Sequence, residues 1–156
     1  MTGARVLYVS TLPVAADPTL APQPVFLWRM VGANNRPIGQ AAAPYDDLPA
    51  CQAAVDWVLR MTPLADLHLL IDLATGLWNW RLEWLDVVVA VSSRAYQRQR
   101  ECRYNADIFV SLAPSASIVP DVLCRHGSRA ATRFTPQSID LVPRQVSGVH
   151  LPASPR

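Results

Sequence analysis

The chain has 156 residues of which 51 % are apolar, enough to bury the core of one domain or two small ones and too apolar for a wholly disordered chain. Fourteen basic residues, all arginine, stand against twelve acidic ones for a formal charge of +2, so charge alone gives little support to a nucleic-acid surface. The longest apolar stretch, near residues 87–91, falls far short of the ~18 residues of a membrane helix, so no membrane partner is expected.

Residues 1–24 carry Pro13, Pro18, Pro22 and Pro24, which interrupt regular structure. They are expected to form an irregular N-terminal segment, with one short strand at Arg5–Ser10 able to pair at a sheet edge. Its single Arg5 and short apolar run fit a secretory signal poorly. With three cysteines and no dense cysteine framework, a cytoplasmic, reducing location is expected.

Residues 25–63 read as one structural unit. Phe26, Trp28 and Met30 alternate with Leu27, Arg29 and Val31, the period-two pattern of a strand. Gly32-Ala33-Asn34-Asn35 supplies a turn and Ile38–Ala42 the return strand. After Tyr45 the period changes. Asp46 or Asp47 can cap a helix, Pro49 suits its first turn, and Cys51, Ala54, Val55, Val58 and Leu59 form one apolar stripe that Pro63 ends.

Residues 64–114 repeat this grammar. Leu67–Leu73 reads as a strand, Ala74-Thr75-Gly76 as a turn, and Leu77–Leu85 as its partner, with Trp78, Trp80, Leu82 and Trp84 on one face. Val87–Ser92 returns, and Gln97–Leu112 forms a second helix whose stripe of Cys102, Ala106, Phe109 and Val110 is broken only by Asn105. The two units share landmarks: Trp28-Arg29-Met30 matches Trp80-Arg81-Leu82, six residues separate Tyr45 from Cys51 and Tyr96 from Cys102, and Asp56 and Asp107 each follow their cysteine by five. Such self-similarity points to an internal duplication. Residues 115–156, rich in Ser, Pro and Arg without periodicity, are expected to form a flexible C-terminal tail.

The expected fold class is α+β. Tandem strand-strand-strand-helix repeats should form one antiparallel sheet about a pseudo-twofold axis, with two helices packed on one face.

An aromatic strand leading into Val31-Gly32-Ala33-Asn34-Asn35, a return strand of small residues, Tyr45, and a helix starting near Ala50-Cys51 resemble the YegP-like family. Val89-Ala90-Val91-Ser92-Ser93-Arg94-Ala95-Tyr96 and Glu101-Cys102 give the closer match. The resemblance covers residues 25–112. It implies tandem strand-strand-strand-helix repeats and brings no known activity, cofactor or catalytic residues. The first unit has Ala41 and Ala42 where the second has serines, and the second lacks the glycine or asparagine turn.

No residue set marks an enzyme. Cys51, Cys102 and a Cys124-Arg125-His126 group lack the close pairing of zinc ligands, and the first two fall on apolar helix stripes, where small buried side chains explain them better. The alternating tryptophans suit a core more than a stacking platform for bases. His68, His126 and His150 form no motif, and His68 has no obvious acidic relay. Asp56 and Asp107 read as solvated helix positions. No metal or cofactor is expected.

The candidate binding residues are Arg29 and Arg81, at the same position of each repeat and turned away from the tryptophans, and Arg94, Arg98, Arg100 and Arg103 around the second helix. Two symmetry-related guanidinium groups suit an anionic ligand. The reading is a small non-enzymatic module that binds a ligand or self-associates as a homo-oligomer. The alternative is nucleic-acid binding through the arginines near the second helix and the tail, and a third is an enzyme whose site lies between the repeats.

Overall fold

The computed structural model describes residues 3–13, 17 and 19–125. Seven strands and two helices follow one another as β1 (Arg5–Thr11), β2 (Val25–Val31), β3 (Pro37–Gln40), α1 (Leu48–Met61), β4 (Asp66–Ile71), β5 (Trp78–Trp84), β6 (Val87–Ser92), α2 (Gln99–Leu112) and β7 (Ser117–Arg125). The strands form one sheet in the order β4-β5-β6-β3-β2-β1-β7. The architecture is α+β, with both helices packed on the same face of the sheet.

Alternation explains the strands. On β2, Trp28 and Met30 turn into the core while Leu27 and Arg29 turn away, and on β5 Trp80 and Leu82 do the same against Arg81. Helix α1 starts where Asp47 Oδ1 accepts a 2.7 Å hydrogen bond from Ala50 N, and Pro49 sits in its first turn. It buries Cys51, Ala54, Val55, Trp57 and Val58. Helix α2 buries Cys102, Ala106 and Phe109. Phe109 lies at the centre of the core, with its ring 4.9 Å from that of Trp80 and 6.4 Å from that of Trp28. A Cβ on Gly39 would stand 2.6 Å from Phe109 Cδ2, so this strand position admits only glycine beside that ring.

Landmarks shared by the two halves of the sequence occupy matching places. Phe26 bridges Tyr45 and Trp78 bridges Tyr96, each with reciprocal backbone hydrogen bonds that tie the segment before a helix to the start of an aromatic strand. Each helix ends in a short 3-10 turn containing proline, at Thr62–Leu64 and Ala113–Ser115.

The sheet departs from the sequence expectation at both ends of the chain. The N-terminal strand is not at an edge: β1 lies between β2 and β7, and its Val6 and Tyr8 are core residues. The prolines that suggested irregularity begin only at Pro13, after β1 has ended. The expected tail begins with a strand: β7 pairs in parallel with β1, so the sheet is mixed, not antiparallel. Pro120 is tolerated because β7 is the last strand and its ladder with β1 is interrupted between Ile118 and Val122. The remainder of the expected tail, from residue 126 onward, lies outside the described residues. Smaller shifts occur at β4 and β5, which end at Ile71 and Trp84, short of the expected Leu73 and Leu85, and at α2, which starts at Gln99 and not Gln97.

Candidate binding face

Directly opposed residues of neighbouring strands point to the same side of a sheet. The register places Leu7, Arg29, Gln40, Val91, Arg81 and His68 opposite one another in turn, on β1, β2, β3, β6, β5 and β4. This row crosses six strands on the face that carries no helix. Its midpoint falls between Gln40 and Val91, with one arginine on either side. Three strand steps separate Arg29 from Arg81, roughly 14 Å at the usual strand spacing.

The row is polar on one side and mixed on the other. Arg81 forms an ion pair with Glu83 on the same strand, and Glu83 Oε2 lies 3.5 Å from His68 Nε2. His68 therefore has an acidic neighbour, which the sequence alone did not disclose because Glu83 reaches it across the β4–β5 ladder. Gln40 is a buried amide at the centre of the row. Arg29 and Arg81 are both half-buried. Leu27 and Val9 lie next to Arg29 and Leu7 on this face, opposite Leu123 of β7.

The other four arginines are elsewhere. Arg94 lies in the β6–α2 connection with its guanidinium 4.7 Å from the centre of the Tyr96 ring. Arg98 occupies the N-cap of α2, 4.0 Å from Glu101, whose charge at the first turn offsets the unfavourable placement of a cation there. Arg103 Nε bonds Asp107 Oδ1 at 3.2 Å, and Arg100 is exposed in the first turn. The six candidates thus divide into a sheet pair and a helix group.

The two helix cysteines lack reactive character. Burial pushes the Cys51 thiol up to about 12 and the Cys102 thiol up to about 11, so neither is a thiolate at neutral pH. Cys124 is exposed on β7. His126 lies outside the described residues, and among the described residues no group of three or more His, Cys, Asp or Glu could hold a metal ion. Also among the described residues, no helix is long and apolar enough to cross a membrane.

Two solved structures match this arrangement of sheet and helices over most of their length. One is the solution structure of YegP from E. coli, a protein of unknown function, with a TM-score of 0.52 at 12% identity over 79% of this chain and 95% of that one. The other is a UPF0339 protein from Shewanella oneidensis, with a TM-score of 0.58 at 11% identity over 80% of this chain and 93% of that one. The chain has the YegP fold. At this identity the likeness concerns the fold alone. No family model matches the sequence, and no curated protein matches it. The YegP fold brings no assigned site with it, so the candidate face rests on the residues of this chain. Sequence reasoning found Arg29 and Arg81 on it through strand alternation. It missed Gln40 and Val91, whose place depends on the pairing of β3 with β6.

Proposed function

We propose that this chain is a small non-enzymatic binding module that takes an anionic ligand on the helix-free face of its sheet. The observation that carries the reading is the placement of Arg29 and Arg81 on one row, on either side of Gln40 and Val91. Two planar guanidinium groups flanking an amide suit a ligand with two acidic groups, or one phosphate reached from both sides. Glu83 beside Arg81 sets a threshold: a ligand has to compete with or bridge that ion pair, which favours a multiply charged anion. The shared landmarks of the two halves support an origin by duplication, with the ligand face at the junction of the copies. Free cysteines suit a reducing compartment, and the reading includes a cytoplasmic home.

Nucleic-acid binding through Arg94, Arg98, Arg100 and Arg103 has less support, because acidic neighbours stand beside Arg98 and Arg103 and Arg94 stacks on Tyr96.

The test titrates inorganic phosphate and, separately, succinate into the labelled full chain and follows backbone and arginine side-chain resonances. Perturbations centred on Arg29, Gln40 and Arg81, lost in the Arg29→Gln/Arg81→Gln double variant with its melt unchanged, are expected. Absence of perturbation on this face, or its persistence in the double variant, would overturn the reading.

A further inference from the structure

The two edges of the sheet are built differently. At one edge, β7 carries Pro120 and Asp121 and its pairing with β1 is interrupted by a register shift. Proline, charge and irregularity are the devices that keep an edge from pairing with another chain. At the other edge, β4 has none of the proline or bulge protection: its ladder with β5 runs from Asp66 to Ile71 without a shift. Among the described residues no strand lies on its outer side.

The outward backbone groups of β4 follow from the ladder. Asp72 N donates to Leu77 O at 2.9 Å, so the hydrogen-bonded pairs recur at every second residue and the amides of Leu70 and His68 also point to β5. The amides of Leu67, Leu69 and Ile71 therefore point away from the sheet. Large apolar side chains gather along the same edge, with Leu64 64%, Ile71 43% and Leu73 90% exposed.

We propose that β4 is a homodimer interface, pairing antiparallel with β4 of a second copy of this chain to make one continuous sheet across a twofold axis. Self-complementarity selects a second copy over an unrelated partner. With the axis at Leu67, the outward groups of Leu67 meet those of the second copy's Leu67, and the outward amide of Leu69 meets the carbonyl of the second copy's Ala65. In this register Asp66 stands opposite the second copy's His68 on the helix-free face, and the symmetry makes the contact twice. Opposite charges placed directly across a strand pair favour that register, and like charges oppose it. Moving the axis to His68 would set histidine against histidine, and moving it to Leu69 would set Asp66 against Asp72. The contact shares His68 with the row on the helix-free face, but its readout, the mass of the assembly, is separate from anion binding.

The experiment measures the mass of the full chain by light scattering and native mass spectrometry across a concentration series. Wild-type protein is expected to reach the mass of two 17.2 kDa chains. His68→Asp places aspartate opposite Asp66 twice and should weaken the dimer about tenfold. The double variant Asp66→His/His68→Asp restores the opposite charges and should return the affinity to near wild type, which separates a lost interface from a damaged fold. Hydrogen exchange should show the Leu67 and Leu69 amides protected only in the dimer. A monomer at every concentration, a dimer insensitive to His68→Asp, protection of these amides in a monomer, or failure of the double variant to recover would overturn the proposal.

Discussion

Trp80 Nε1 donates a 2.8 Å hydrogen bond to Asn105 Oδ1. Trp80 is only 1% exposed, and a buried indole N–H without an acceptor costs stability. Asn105, the polar residue that interrupts the apolar stripe of α2, supplies that acceptor. In the first half of the chain Ala54 follows Cys51 by the same three residues as Asn105 follows Cys102, and alanine has no acceptor to offer. There the buried Trp28 indole N–H has no hydrogen-bond acceptor among the described residues. The two halves share a frame, but only the second supplies an acceptor to its buried indole.

Asn105→Ala should therefore destabilise the fold by about 1–3 kcal/mol, the cost of leaving a buried donor unpaired. In urea the midpoint should fall with the slope unchanged. Trp80→Phe, which removes the donor, closes the comparison: in that background Asn105→Ala should cost little, and an equal loss in both backgrounds would show that Asn105 acts through helix packing and not through Trp80.

A second expectation concerns the β5–β6 turn. Leu85 and Asp86 both have positive φ, 47° and 65°, between the opposed residues Trp84 and Val87. That is a two-residue hairpin turn of the kind that favours asparagine and glycine, yet a leucine holds the first position, 73% exposed. Leu85→Asn should stabilise the chain by about 0.5–1 kcal/mol, through relief of the backbone preference. Thermal melts of wild type and variant under identical conditions decide it: no rise in Tm would mean that Leu85 makes a compensating contact.

The elements that were legible in the sequence are those fixed by local pattern. Trp28, Met30, Trp80 and Leu82 declared their strands by alternation, and the apolar stripes with Asp47 and Pro63 declared α1. β7 was hidden because Pro120 and Asp121 interrupt its alternation and because its partner, β1, lies at the far end of the sequence. Parallel pairing of the two ends has no local signature. The same distinction holds at the candidate face. Alternation put Arg29 and Arg81 on one side of the sheet, whereas the intervening Gln40 and Val91 and the approach of Glu83 to His68 arise from pairing between strands.

The place of β7 gives part of the expected flexible tail a role in the sheet. Its Val122 lies opposite Tyr8 and packs against the core, and its backbone pairs along β1 from Arg5 to Thr11. A chain shortened to end at Ser115 should melt at a clearly lower temperature than one ending at Arg125, or fail to fold. Equal cooperative melts of the two shortened chains would show that β1 stands as a stable edge without its parallel neighbour.

The buried thiols and phenols make stability fall at alkaline pH. Cys51 and Cys102 are raised by burial from 9.0 to about 12 and about 11. Burial likewise raises Tyr45 from 10.0 to about 12, and it raises Tyr8 and Tyr96. Each group stays neutral in the folded chain and ionises more readily in the unfolded one. Its contribution to stability is thus fully present below the unfolded value and is lost as pH rises through the folded one. The decline should begin near pH 9 with the thiols and steepen above 10 as the tyrosines join. Unfolding free energy measured in urea from pH 7 to 11 checks the shape. Replacing both thiols in a Cys51→Ala/Cys102→Ala variant lowers stability at neutral pH through lost packing, but should flatten the curve between pH 9 and 10. A curve of unchanged slope in that interval would mean that the two thiols ionise as readily in the folded chain as in the unfolded one.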